Sequence, residues 1–381
     1  MKVNTEATLD MYNTVTMDEL ERVITTNMKK IMENPGLSAT LPPILIHSSP
    51  GIGKSSLIKQ IAADLGIGFV DVRLAELDSV DIRGLPSVDK ESGTMRWNAP
   101  DFWPRDPKSK GIIFFDELTA APRDVQVASY EIILDRKIGE FYKVPDGWYI
   151  CAAGNSSTDH AVATSMSSAL ANRFLHFTLR EDAQAFLRWA NVNGIHPSVT
   201  GFLTWKNEML FNMKDENLEM GWPSPRSWHR VSEMVHIYGD DEAILRKIVY
   251  GLIGRRAGSE FIEYHKLNES FDSVLDMMYG KKPVVIPDRN DMKYSLCSTM
   301  VYLLWRGKDK EDEEKRIEGF YKISSKLTSD FASLAMINAI AGIKKGDNKV
   351  CAPKLYYHNH GKSYDAWQKA NGAALRKRMS V

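Results

Sequence analysis

The stretch that most constrains this chain is Leu45-Ile46-His47-Ser48-Ser49-Pro50-Gly51-Ile52-Gly53-Lys54-Ser55-Ser56. An apolar strand runs into a glycine loop, and the loop runs into a helix over Leu57 to Leu65. That order makes a phosphate cradle. Gly51 and Gly53 let successive backbone N–H groups turn inward toward phosphate oxygens. The unpaired N–H groups and dipole of the following helix favour negative charge at the same place. Ser49, Pro50, Gly51, Ile52, Gly53, Lys54, Ser55 and Ser56 are therefore the expected nucleotide-binding residues. Lys54 is placed to reach the β- and γ-phosphates, and the Ser55 hydroxyl to hold Mg²⁺. The pattern G-x-x-x-x-G-K-[ST] is kept except at its first position, where Ser48 replaces glycine.

A second element supports the first. Gly111-Ile112-Ile113-Phe114-Phe115 reads as a strand buried on both faces, and Asp116 and Glu117 stand at its C-terminal end. In a parallel sheet, ligands bind at that end. Asp116 would complete the Mg²⁺ shell, and Glu117 would polarise an attacking water as general base. A further buried strand, Trp148 to Ala153, is closed by Gly154-Asn155. Asn155 either orients water or touches the γ-phosphate, or it is simply a turn asparagine.

Strands and helices alternate from about Leu41 to Leu179, which predicts a doubly wound parallel sheet. Upstream, Thr16 caps a helix with Glu19 closing a capping box, and Asn34-Pro35-Gly36 ends it. Helix is expected from Arg123 to Arg136, followed by a hairpin formed by 138–142 and 144–148. A longer hairpin, Leu85 to Trp97, interrupts what would otherwise be a plain helix-to-strand connection. It is either a surface decoration or a working surface. From Arg180 onward the periodicity is helical: Ala183 to Ala190, Pro197 to Trp205, Pro225 to Ile237, Glu242 to Tyr264, Met292 to Trp305 and Ile317 to Ile343. Lys308 to Arg316 is a charge run, either a solvated face or a helix start, and the tail from Lys344 is mixed.

Composition excludes several classes. The 381 residues carry 49 Lys plus Arg against 49 Asp plus Glu, so no bulk charge calls for nucleic acid or membrane. Cys151, Cys297 and Cys351 are far apart and form no C-x-x-C pair. There is no apolar leader and no apolar stretch long enough to span a bilayer, so a reducing cytoplasm is expected.

Taken together, Ser48–Ser55, Ile112–Glu117, Asn155, Arg173 and Ser224-Pro225-Arg226-Ser227-Trp228 resemble, in order, the Walker A, Walker B, sensor 1, arginine finger and sensor 2 elements of AAA+ ATPases. The MoxR-like branch is most similar, phage and bacterial members especially, and the 85–97 hairpin looks like that branch's helix-2 insert. The resemblance covers about Leu41 to Ile253. It implies an α/β P-loop NTPase core with a parallel sheet over 1–180 and an all-α lid over 181–290; beyond Ile253 the resemblance fades, and the helical C-terminal extension over 291–381 is read from periodicity alone. The resemblance also implies ATP and Mg²⁺ as cofactors and a ring oligomer, usually a hexamer. The location would be the bacterial cytoplasm, or the host cytoplasm for a phage-encoded chain. Arg173 would reach a neighbour's γ-phosphate and Arg226 would sense the same phosphate from its own subunit; Arg123 and Arg136 are further candidates for trans contacts. The partner would be a protein substrate or a von Willebrand factor A-type protein. A nucleic-acid motor and a small-molecule P-loop kinase are the alternatives.

Overall fold

The computed structural model describes residues 13–91, 93–155, 166, 168–213, 221–266, 271–342 and 351–379. They divide into two compact units, Met1–Asp182 and Ala183–Val381.

Among its described residues the first unit has ten strands. These are β1 (Thr14–Val15), β2 (Ile44–His47), β3 (Gly68–Arg73), β4 (Leu85–Val88), β5 (Met95–Asn98), β6 (Gly111–Asp116), β7 (Lys137–Ile138), β8 (Tyr142–Lys143), β9 (Trp148–Gly154) and β10 (Leu175–Leu179). Six of them form one sheet in the order β1-β10-β2-β9-β6-β3. Every neighbouring pair in it is parallel. Such a sheet must be covered on both faces, and the central strands read accordingly as continuous apolar runs. Alternate residues divide between the faces. Leu45, Ile113, Phe115, Ile150 and Ala152 pack with the Arg123–Leu134 helix and Trp103. On the other face Tyr149 meets the Met17–Glu33 helix, where Asn27 Nδ2 donates to its hydroxyl at 3.1 Å. Trp148 needs glycine beneath it: a Cβ at Gly111 would lie 2.4 Å from its ring.

Local signals explain the helix starts. Thr16 and Glu19 form the expected reciprocal capping box. The Lys54–Leu65 helix begins directly from Gly53, at φ 109, and stops at Gly66, at φ 64. Both values favour glycine.

The regular elements among the described residues of the second unit are all helices. One core gathers Phe202, Trp228, Phe261 and their neighbours between 186 and 264. Another gathers Met300, Leu304, Phe320 and Trp367 between 274 and 375. Gly254, at φ 75, kinks the Glu242–Lys266 helix.

Several expectations change. The Arg123 helix stops at Leu134, because Arg136 adopts φ 56 and turns the chain into β7. The short hairpin pairs β7 with β8, not 138–142 with 144–148. The single helix expected over 317–343 is two, Lys310–Ser324 and Ser329–Ala341, with Thr328 opening the second. The charge run is indeed a helix start, capped by Asp309, yet Arg316 is buried and donates to Leu303 O at 2.8 Å. The tail contains an 18-residue helix, Lys362–Met379, and Phe271–Met278 forms a further helix. Ile343 and residues 344–350 lie outside the described residues.

Candidate nucleotide site

The phosphate loop follows β2, Asn155 follows β9, and Asp116 ends β6. These three strands are adjacent and parallel, so all three features meet at the C-terminal edge of the sheet.

Lys54 is buried, with 8% exposure, and its ammonium folds back on the loop. It donates to Ser48 O at 3.0 Å, to Ser48 Oγ at 2.7 Å and to Ser49 O at 3.3 Å. Ser48 is therefore more than a small residue closing the loop: its hydroxyl supplies an acceptor that glycine lacks. Ser55 Oγ donates to Asp116 Oδ2 at 2.5 Å. A hydroxyl and a carboxylate converging in this way are the hard oxygen donors that suit Mg²⁺. Pro50, Gly51, Ile52 and Ser56 complete the loop and the first helical turn, with Gly51 at φ 82.

Glu117 is exposed and has φ 60, so the chain turns sharply after the buried strand. Its N–H donates to Asp116 Oδ1 at 2.9 Å, and its carbonyl accepts from Ala120 and Ala121. Glu117 thus follows Asp116 on a backbone fixed by hydrogen bonds, with its side chain exposed. Asp71, on β3, lies near this pair. Burial and the neighbouring Asp116 charge push its carboxyl above the usual range, partly offset by Arg73 at 3.7 Å.

Asn155 is fixed by Thr119, a residue that sequence reasoning missed. Its N–H donates to Thr119 Oγ1 at 3.0 Å, and Leu118 N–H donates to Ala153 O at 2.8 Å. The acidic loop and the Asn155 strand end are thus stitched together. Gly154 makes room for this, since a Cβ there would lie 2.5 Å from Thr119 Cγ2. The signal was present: a threonine two positions after Glu117 and a glycine before Asn155.

Arg173 is exposed on the turn between the Ser168–Ala171 helix and β10. Arg226 is exposed at the second position of the Pro225–Tyr238 helix in the second unit, capped by Ser224 and Ser227. Arg123 is exposed at its helix start. Arg136 is otherwise placed: it is buried and donates to Pro145 O at 3.0 Å and Trp148 O at 2.8 Å, so it braces its own core. Cys151 is fully buried, which pushes its thiol up and leaves it a core residue.

A parallel sheet with a glycine loop, a lysine and serine opening the next helix, and an Asp-Glu pair nearby defines a P-loop nucleotide-binding domain. Residues 44–144 match the family described as "ATPase family associated with various cellular activities (AAA)", so the chain carries an AAA-type ATPase domain. Replication factor C subunit 2 of Schizosaccharomyces pombe is 29% identical over 125 residues, or 32% of this chain and 36% of that protein. The chain thus spans about a third of that relative's length. Among solved structures, a RuvB mutant of Thermotoga maritima is 16% identical with TM-score 0.38, covering 74% of this chain and 82% of its own. NtrX of Brucella abortus is 14% identical with TM-score 0.29, covering 90% and 68%. No helix among the described residues is long and apolar enough to cross a membrane.

Proposed function

We propose that this chain is a Mg²⁺-dependent ATPase of the MoxR-like AAA+ branch, acting as a ring, by expectation a hexamer, to remodel a protein partner. The observation that carries the reading is the Ser55–Asp116 hydrogen bond of 2.5 Å beside the Lys54 cradle. It supports the reading because two oxygens that would hold Mg²⁺ lie together, with Glu117 following Asp116 in the chain and exposed.

In this reading the loop N–H groups and Lys54 hold the phosphates, while Ser55 and Asp116 hold Mg²⁺, which neutralises phosphate charge when bound. Glu117 takes a proton from the attacking water. Asn155, fixed through Thr119, orients that water or the γ-phosphate. Arg173 is offered to the adjacent subunit, where its guanidinium offsets charge developing in the transition state. Arg226 senses the phosphate of its own subunit. The β4–β5 hairpin, exposed along both strands, engages the partner, for which a von Willebrand factor A-type protein is the expected class.

A motor acting on nucleic acid is the second reading, favoured by the likeness to a replication factor subunit. The equal numbers of acidic and basic residues weigh against it, since phosphate-backbone binding relies on excess positive charge.

The test uses mixed subunits. Lys54→Ala should bind no ATP, and Arg173→Ala should bind but turn over slowly. Mixing the two should restore some turnover, because intact interfaces reappear. Turnover by a species that stays monomeric with ATP in light scattering, and that is blind to protein concentration, would refute the ring. Partner identity is then read from what a Glu117→Gln form retains with ATP and releases without it.

A further inference from the structure

We propose that His47 and His176 are positioning residues that carry the state of the phosphate loop to the turn bearing Arg173. The proposal rests on the reading of that loop as a nucleotide site.

His47 ends β2, and the next residue is Ser48, whose carbonyl and hydroxyl hold the Lys54 ammonium at 3.0 and 2.7 Å. His176 lies on β10, which pairs with β2 so that His176 stands opposite Leu45. Residues two apart on a strand share a face, so both imidazoles stand on one side of the sheet. Their ring planes are 5° from parallel and the centroids 5.3 Å apart, so the rings meet edge to edge and not face to face. His47 Nε2 and His176 Nδ1 are 3.0 Å apart. The other nitrogen of His176, Nε2, lies 2.7 Å from Ala171 O.

The protons follow from the partners. A carbonyl oxygen only accepts, so His176 Nε2 carries a hydrogen. In the neutral ring its Nδ1 is then the acceptor, and His47 Nε2 donates to it. The result is a directed chain from the root of the phosphate loop, through two imidazoles, to the last residue of the Ser168–Ala171 helix. Arg173 follows two residues later. In the turn, Asn172 N–H donates to Ser168 O at 3.1 Å, Arg173 N–H to Leu170 O at 3.1 Å, and Phe174 N–H to Ala171 O at 3.3 Å. Phe174 is buried and meets the His176 ring edge-on at 6.2 Å. Ala171 O is thus shared by the turn and by the histidine chain.

A ligand shifts such an equilibrium only through a contact that differs between its states. Here that contact is Lys54. With nucleotide, its ammonium exchanges the oxygens of Ser48 and Ser49 for phosphate, and the constraint on Ser48, next to His47, changes. Two histidines that merely fill space between strands would transmit nothing, and experiment separates the two cases.

The test measures amide hydrogen exchange over residues 170–176, with and without the imido analogue of ATP plus Mg²⁺. In the parent, the analogue should slow exchange at Arg173 and Phe174 by about tenfold, a scale typical of coupling between sites. His176→Ala should bind the analogue with an affinity within about threefold of the parent, yet lose that protection. His176→Gln, whose amide offers both a donor and an acceptor, should keep it. If His176→Ala fails to fold by circular dichroism, His47→Leu, which deletes the donor but keeps an apolar body, is expected to show the same loss. Full protection in either deletion variant overturns the proposal, as does a parent that binds the analogue without any change over 170–176. A parent that does not bind the analogue at all in calorimetry overturns the nucleotide reading itself, a different result.

Discussion

Ser55 Oγ donates to Asp116 Oδ2 at 2.5 Å, joining the first turn of the helix after the phosphate loop to the end of a strand two positions away in the sheet. The residues are 61 apart in sequence, and only the parallel sheet brings them together. Replacing Asp116 with alanine leaves one of the two hard oxygen donors. Turnover should fall about 100-fold or more, the scale of losing one electrostatic stabiliser. ATP affinity measured in EDTA should stay close to the parent value. A variant whose Mg²⁺ dependence is unchanged would remove Asp116 from the metal site.

Ser48 departs from glycine at the first position of the loop, and its hydroxyl accepts from Lys54 at 2.7 Å. In the proposed function that bond is given up when Lys54 turns to phosphate. A hydrogen bond to a charged group contributes about 1.5–3 kcal/mol at most, and the remaining Ser48 and Ser49 carbonyls keep part of it. Ser48→Ala should therefore bind ATP about five- to tenfold tighter by calorimetry, close to 1 kcal/mol. Weaker binding would mean that the hydroxyl serves the nucleotide-bound state instead.

Thr119 is the hinge pin of Asn155. In Thr119→Val the shape is kept and the 3.0 Å acceptor for the Asn155 N–H is lost. The turnover number should drop about tenfold with little change in KM, because the interaction matters to the reacting geometry more than to binding. Gly154→Ala should lower the melting temperature by several degrees, about what 1–3 kcal/mol of overpacking against Thr119 produces. Adding Thr119→Ser, which deletes the clashing methyl, should recover part of it.

The phosphate loop was legible because its chemistry is local: glycines, lysine and serine within one strand-loop-helix segment. Asp116 and Glu117 were legible because an apolar run followed by two acids has few other uses. What stayed hidden depends on distance. Thr119 and Asn155 are 36 residues apart, and His47 and His176 are 129 apart; no window along the chain shows either pair. The burial of Arg136 was not legible, because its acceptors are backbone carbonyls 9 and 12 residues on and a positive φ at a non-glycine residue leaves no mark in composition. In the Lys362–Met379 helix, charged residues mask a periodic signal: Trp367, Asn371 and Leu375 recur every four positions and are buried.

The second unit holds a histidine group that should make its stability fall with acid. His196, His236 and His265 have ring centroids 4.9 and 6.0 Å from the first to the other two. Burial lowers all three, His196 from 6.5 to about 3. His196 Nδ1 also accepts the Ser198 N–H at 3.1 Å as the cap of the Pro197–Trp205 helix, which requires the neutral ring. Because the folded value lies below the unfolded one, the unfolded chain binds more protons, and stability rises with pH in that window. The contribution is complete above about pH 6.5 and is lost as pH falls toward 3. Thermal unfolding should show a falling midpoint from pH 7 to 5. His196→Asn, which can still cap the helix but does not titrate, should flatten that slope. Equal slopes in parent and variant would place the acid sensitivity elsewhere.

The β4–β5 hairpin lies outside the nucleotide motifs, and its geometry sharpens what to change. Val88 and Met95 face each other across the strands and are 71% and 65% exposed, an apolar pair with nothing of the described chain covering it. Trp97, next along the same face, is different: it stacks on Phe141 at 6.2 Å and 15°, so part of the ring anchors the hairpin to its own domain. On the opposite face Arg96 is tied to Asp89 at 2.8 Å. The contact surface should therefore be the outer pair, with Trp97 as its foundation. Replacing residues 87–94 by a short Gly-Ser turn, or making Val88→Ser with Met95→Ser, should leave basal ATPase and oligomer size as in the parent. Stimulation by the partner should be lost, since large apolar and aromatic anchors dominate binding energy at contact surfaces. Phe141→Ala should weaken stimulation less than the double change, because it loosens the support without removing the pair. Stimulation that survives both the replacement and the double change would mean that the partner is gripped by another surface.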